Sequence, residues 1–239
     1  MARRRTVEEQ LAAIHGLRAA PGTAETVREL RAALRSRTGL VAAAAAAVVG
    51  ETGCDELTDE LEAAFARFLE DPIKRDPRCA AKQAIARALV ELGRWSSEVF
   101  PAGIRHVQLE PVFGGREDTA APLRGMSALA YAQLGQPDAV VAIADLLADR
   151  EAAARVAAAR ALGDSGRPDA IPLLRFKARI GDDEAEVLST VFGSLLALDL
   201  SESLDFVAGF LDRSGQVAEA AALALGESRS PAALPHLLR

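Results

Sequence analysis

The sequence predicts an all-α fold, a right-handed α-solenoid of antiparallel helix pairs, and three observations carry that prediction. Half of the 239 residues are hydrophobic, alanine is the largest part of that share, and aromatics are confined to eight Phe, one Trp and one Tyr. Alanine is the best helix former and loses no rotamer freedom on folding, so a chain rich in Ala, Leu, Arg and Glu reads as helix on propensity. Every long segment recurs with a period near 3.6 and none alternates, so no strand is expected. The chain also repeats itself, which lets 239 residues form one array in which each unit packs only on its neighbours.

Taken in order, helices are expected near 6–19, 24–36, 39–50, 55–69, 78–92, 97–109 and 119–134, then 138–148, 151–162, 169–179, 184–198, 202–211, 214–225 and 231–239. Leu40 to Val49 is apolar throughout. At ten residues, against the roughly 20 that a bilayer requires, it reads as a buried helix. Ala2-Arg3-Arg4-Arg5-Thr6 leads into Val7-Glu8-Glu9-Gln10 rather than an apolar core, so no secretory signal follows it and a cytoplasmic location is expected.

The repeat is clearest in the C-terminal half. Arg150 to Gly163 (REAAARVAAARALG) and Arg213 to Gly226 (RSGQVAEAAALALG) are related by a shift of 63, each after an aspartate, Asp149 and Asp212. The same shift carries Pro168, Pro172 and Leu174 onto Pro231, Pro235 and Leu237. A second shift, of 42, carries Asp76, Lys82 and Gly93 onto Asp118, Arg124 and Gly135. In each unit a first helix ends in Leu-Gly, where glycine is expected in the left-handed C-cap conformation. A second helix then starts after Pro or Asp, with Asp138 and Asp169 placed as N-caps or first-turn acids and Pro172 in the first turn, where its missing N–H is not needed. Glu70–Pro77 and Glu110–Asp118 break the rhythm. We therefore expect one domain over 1–239, of about six to seven helix pairs, with an irregular junction at 97–118. The last helix carries Leu234, Leu237 and Leu238 with no polar cap behind it, so the last unit reads as incomplete or as covered by self-association.

The stretch from Asp149 through Arg155 to Gly163, followed by Pro168-Asp-Ala-Ile-Pro-Leu-Leu174, resembles the short HEAT-like repeat of the phycobilisome-lyase type. The resemblance is strong over 119–239 and weaker over 23–118. It implies an aspartate before each first helix with an arginine about one and a half turns on. Here those are Asp149 with Arg155, Asp118 with Arg124 and, conservatively, Asp76 with Lys82. Ala218 stands where the arginine after Asp212 belongs, which implies a broken ladder there. The resemblance implies an α-solenoid that binds proteins and does not imply lyase activity.

Few residues suggest chemistry. The net charge of -6 opposes nucleic-acid binding, so nucleic acid is not the expected partner, nor is a membrane. Cys54 and Cys79 lie 25 residues apart with no C-x-x-C spacing, so no metal and no cofactor are expected. The residues least like the repeat are 103–119, which hold Arg105, His106, Gln108, Glu110, Phe113 and Arg116 beside Gly114-Gly115. On a helix Arg105 would share a face with Leu109, and His106 would pair with Glu110, as a helix-end ion pair or as an oriented base. Gly114-Gly115-Arg116-Glu117 lacks the spacing of a phosphate loop and reads as a turn. Phe113 is expected to fold back on the apolar seam or, alternatively, to meet a partner. Arg28, Arg31 and Arg35 share one helix face, with Arg3, Arg4, Arg5 and Arg37 nearby and Glu25 and Glu29 screening them. Neither His15 nor His236 nor any serine lies in a nucleophile motif, so no catalytic residue is expected.

The expected function is a protein-interaction scaffold with another protein as partner, read through 105–116. The alternatives are nucleic-acid or phosphate binding through the arginine stripe, and a lyase-like or other small-molecule enzyme using 105–118.

Overall fold

The computed structural model describes residues 6–238. It divides into two compact units, Met1–Ser127 and Ala128–Arg239.

The first unit begins with α1 (Val7–Gly16), closed by a capping box in which Thr6 and Glu9 exchange backbone and side-chain hydrogen bonds. There follow α2 (Ala24–Leu34), α3 (Gly39–Thr52), α4 (Thr58–Leu69), a single turn α5 (Pro72–Arg75), α6 (Ala80–Glu91) and α7 (Val99–Arg105). The most extensive packing in this unit joins α3 to α6. Val41, Ala42, Ala45, Ala46 and Val49 of α3 are buried, as are Ala81, Ile85, Ala88 and Leu89 of α6. A methyl added at Gly50 would stand 2.9 Å from the Ala88 Cα, so the glycine permits the approach. Against this alanine layer α2 contributes Val27, Leu30 and Leu34, and α4 contributes Leu61, Phe65 and Phe68.

The expected helix over 97–109 stops at Arg105, and β1 (Leu109–Val112) pairs antiparallel with β2 (Gly115–Asp118). This hairpin corrects the expectation of no strand. Its cause is local, because Pro111 lacks an N–H for the helix ladder and pushes Glu110 toward extended backbone. Gly114, at φ 87, closes the turn. α8 (Ala121–Gln133) follows.

In the second unit come α9 (Ala139–Ala144), α10 (Ala152–Asp164), α11 (Ile171–Ile180), α12 (Ala185–Leu198), α13 (Leu200–Ala208), α14 (Gln216–Glu227) and α15 (Leu234–Leu237). α12 packs between α10 and α14 in one layer, while α11 and α13 lie against α12 in a second. These are stacked helix pairs. The shift of 63 is realised in detail: Leu162 and Leu225 are fully buried, and Ser165 and Ser228 each donate to the leucine carbonyl before them at 2.6 Å. Gly166 at φ 64 is matched by Arg229 at φ 52.

One expectation changes here. Gly163 and Gly226 remain inside their helices rather than capping them, and the left-handed residues stand three positions later. Gly163 is needed for close approach, since a Cβ there would meet Ser194 Oγ at 2.6 Å. Gly93 and Gly135 do take positive φ. Asp138 stands at the N-cap position of α9 and Asp169 in the first turn at 168–170, as expected, with the Asp138 carboxylate accepting from the Tyr131 hydroxyl and that of Asp169 pairing with Arg167. Among the described residues no helix is long and apolar enough to cross a membrane.

Replacing Leu162 with alanine is expected to cost roughly 2–5 kcal/mol from lost burial and the cavity left behind. Leu225→Ala should cost less, since its helix has a neighbour on one side in the described layer. Urea unfolding of both variants checks the order, and two changes under about 0.5 kcal/mol would contradict the repeat alignment.

Candidate functional site

The irregular part of the first unit is organised by buried polar groups. α6 is entered through two consecutive left-handed residues, Arg78 at φ 60 and Cys79 at φ 57, a costly conformation for non-glycine residues. Asp76 holds the turn. Its carboxylate accepts the N–H groups of Ala81 (2.7 Å) and Lys82 (3.1 Å) and the Lys82 Nζ (2.8 Å), while Nζ also donates to the Phe68 carbonyl at 3.2 Å. Both side chains of this ion pair are fully buried.

The hairpin is fastened to that turn through Gln108, itself buried. Gln108 Nε2 donates to the Asp76 carbonyl (2.8 Å) and to Glu110 Oε1 (2.6 Å), and the Gln108 N–H donates to Asp118 Oδ1 (3.1 Å). Glu110 Oε1 also accepts from Thr119 Oγ1 (2.9 Å) and from the Arg78 N–H. Asp118 accepts from the Ala120 N–H (3.0 Å) and Arg124 Nη1 (2.8 Å), and that same Nη1 donates to the His106 carbonyl at 2.9 Å. Burial opposes ionisation of Glu110, but the bonds from Gln108, Thr119 and Arg78 outweigh it and its pKa lies below the ordinary value. Asp118 is lowered in the same way, burial being overcome by the N–H groups of Gln108 and Ala120 and by Arg124.

The arrangement therefore disfavours acid–base or nucleophilic chemistry at these groups. Burial lowers the His106 pKa despite its contact with Gln108, and burial pushes the Cys79 thiol up to about 12. Glu110 is an ionised acceptor already served by three donors. The expected His106–Glu110 pairing is replaced by a 3.2 Å contact between His106 Nε2 and Gln108 Oε1, because the backbone is extended beyond His106 and the i,i+4 relation is lost. Arg105 no longer shares a helix face with Leu109, for the same reason.

Of the residues singled out by sequence, Gln108 and Glu110 thus face the network, whereas Arg105, Arg116 and Phe113 face solvent. Phe113 does not fold back on the core. At 109% relative exposure it is the tip of the hairpin, and Val112 beside it and Val107 and Leu109 at the hairpin base are exposed as well. In the arginine stripe, Arg28 lies 3.6 Å from both Glu25 and Glu29, Arg31 meets Glu60 at 2.6 Å and Arg35 meets it at 3.8 Å. Arg3, Arg4 and Arg5 lie outside the described residues. Cys54 and Cys79 are both free and buried, and among the described residues no cluster of three or more His, Cys, Asp or Glu is placed to hold a metal.

The second unit reuses the carboxylate device. Asp149 accepts the Glu151 N–H at 2.8 Å, and Arg155 Nη1 donates to the Asp149 carbonyl at 2.9 Å. The Arg155 fork itself closes on Asp182, with both bonds at 2.7 Å, and Lys177 Nζ joins at 2.8 Å. Asp182 was not singled out by sequence, although its position directly before a helix in Asp182-Asp183-Glu184 was a usable signal. Burial opposes its ionisation, but Arg155, Lys177 and the Glu184 N–H hold its carboxyl far below the usual carboxylate range.

Stacked helix pairs with an aspartate at the head of the first helix make a helical-repeat fold consistent with a HEAT-like solenoid, a fold generally associated with protein–protein interaction. Residues 154–176 and 217–239 match the PBS lyase HEAT-like repeat, so part of this chain is built of repeats of that family. The two matched segments are themselves related by the shift of 63. No curated protein matches the chain.

Lys82→Met should cost roughly 3–5 kcal/mol, since it leaves a buried carboxylate unpaired, and adding Asp76→Asn should restore part of the loss. Equilibrium unfolding of both variants decides this, and a fully additive double variant would contradict the coupling. In unfolded chain Asp182 titrates near its ordinary 3.8, above its folded value. Its contribution to stability is therefore complete above that pH and is lost as pH falls through the unfolded value toward the folded one. Asp182→Asn should lower stability at neutral pH and make the decline below pH 4 shallower, as read by denaturant midpoints across an acid series; an unchanged acid slope would refute it.

Proposed function

We propose that this protein is an interaction scaffold that recognises a protein partner through the hairpin of residues 109–118. The observation that carries the reading is Phe113, a fully exposed aromatic at the tip of a hairpin whose base is locked by buried hydrogen bonds. A two-stranded hairpin is marginal by itself, and here Gln108, Glu110 and Asp118 supply the anchoring that its own short ladder lacks. A pre-ordered aromatic contributes contact area at low entropic cost, which is why such residues dominate interface energetics. Val112, next to Phe113 in the chain, is exposed as well, and Arg116, across the ladder from Pro111, is an exposed polar group near the tip.

The phosphate-binding alternative is less well supported, because Glu25, Glu29 and Glu60 take up the arginine stripe. Small-molecule catalysis at 105–118 has less support again, since its polar groups already hold one another. Two free buried thiols accord with a reducing, cytoplasmic setting.

A photo-crosslinking amino acid at position 113 should yield discrete adducts with a partner in source cells, while Phe113→Ala should leave unfolding free energy within about 0.5 kcal/mol and lower the partner's recovery by affinity capture. A destabilisation above about 2 kcal/mol would make Phe113 structural, and unchanged recovery would remove the hairpin from the interface.

A further inference from the structure

A different surface, in the second unit, involves none of these residues. Arg175 and Arg179 stand one turn apart on α11, and both place their guanidinium carbon over the Phe206 ring, at 4.7 and 5.4 Å from its centroid. Phe206 meets Phe210 edge-on at 5.3 Å, and Phe210 rests at 4.9 Å on Phe192, which is fully buried. The aromatic platform is thus backed by the core. Beside it opens a cleft of about 300 Å³ lined by Arg179, Phe206, Gly209, Phe210 and Arg213.

The charges at this cleft are not spent internally. Among the described residues, no carboxylate lies within ion-pair distance of Arg179 or Arg213, whereas Arg31, Arg75, Arg124, Arg155 and Arg167 are all paired. Arg175 is held in place by its bond to the Glu202 carbonyl at 2.6 Å. Asp205 of α13 lies 3.6 Å from His236. Phe176 and Ile180 follow Arg175 and Arg179 by one residue each, so they form an apolar ridge along the adjoining helix face. They are 64% and 60% exposed.

We propose that this cleft binds an acidic peptide segment of a partner protein, with carboxylates received by Arg179 and Arg213 and an apolar side chain laid on Phe176 and Ile180. A guanidinium stacked on a ring keeps its in-plane N–H donors for a carboxylate, and the stacking holds it in position before binding. The ridge has no use for a free inorganic anion. A nucleic acid would need an aromatic face for its bases, and the Phe206 ring is already covered by two guanidiniums. The net charge of -6 also opposes a polyphosphate chain while leaving short-range pairing at two free cations available.

The test is selection of a random-peptide phage library on the full chain, with Arg179→Glu/Arg213→Glu as counter-selection. The enriched sequences should be acidic with an adjacent aliphatic or aromatic residue. A synthetic peptide of the enriched sequence should bind at least about tenfold more weakly to Arg179→Ala/Arg213→Ala, as the loss of two charge-assisted contacts requires. It should also weaken with added salt, weaken with Phe176→Ser and survive Phe113→Ala, which separates this site from the hairpin. Thermal unfolding of each variant should match the parent, and Arg179→Lys/Arg213→Lys should retain part of the binding. No enrichment, enrichment without acidic bias, binding indifferent to the arginines, or tighter binding of a single-stranded oligonucleotide at the same residues would each overturn the proposal.

Discussion

The structure depends most on a carboxylate set at the head of a first helix, where it accepts backbone N–H groups and a buried or nearly buried cation at once. Asp76 does so with Lys82, Asp118 with Arg124, and Asp182 with Arg155 and Lys177. Taken alone, such pairs are weak sources of net stability, because desolvation offsets most of the attraction. Their effect is on register. The layers they pin are made largely of alanine, whose smooth faces discriminate poorly between neighbouring alignments, and any slip that opened one of these pairs would leave a charge buried without a partner.

The hairpin follows from the same device. Asp118 is the last residue of β2 and also caps the approach to α8, so strand and helix share one acceptor. At the other side Glu110 receives the N–H of Arg78, one of the two left-handed residues before α6. That strained turn, the Asp76–Lys82 pair and the base of the hairpin therefore support one another, with Gln108 bonded to both Asp76 and Glu110. Disturbing any one of them leaves buried polar groups unsatisfied in the others.

Much of this was legible before the structure. The 3.6 period located the helices, the shift of 63 located the repeat, and the resemblance to the HEAT-like repeat implied the pairing of Asp118 with Arg124 and of Asp76 with Lys82 that the structure shows. What escaped was set by more distant neighbours or by competing local rules. Arg105 to Glu110 fits a helix by i,i+4 spacing, and only Pro111 argued otherwise. Gly163 looked like a cap because it follows Leu162, yet Ser194, thirty-one residues on, decides its role. The resemblance paired Arg155 with Asp149, and the structure joins them through the Asp149 carbonyl, while the carboxylate that the Arg155 fork grips belongs to Asp182. The stacking of Arg175 and Arg179 on Phe206 joins two helices with no motif in common, so no reading of either helix alone reveals it.

The two surfaces differ in a way that separates structural from recognition roles in a repeat protein. Around the hairpin the polar side chains have used their capacity on one another: Glu110 has three donors, Asp118 has three, and Gln108 bridges turn and strand. What remains for a partner there is apolar, namely Phe113 and its neighbours. At the α11–α13 cleft the balance is reversed, for the rings are backed by the core while Arg179 and Arg213 keep donors that no carboxylate of the described chain engages. A repeat array continues most stably when each unit satisfies its own polar groups. A unit that keeps cations over aromatic rings without pairing them departs from that rule at the surface, where water makes the departure inexpensive and an incoming carboxylate can replace the water.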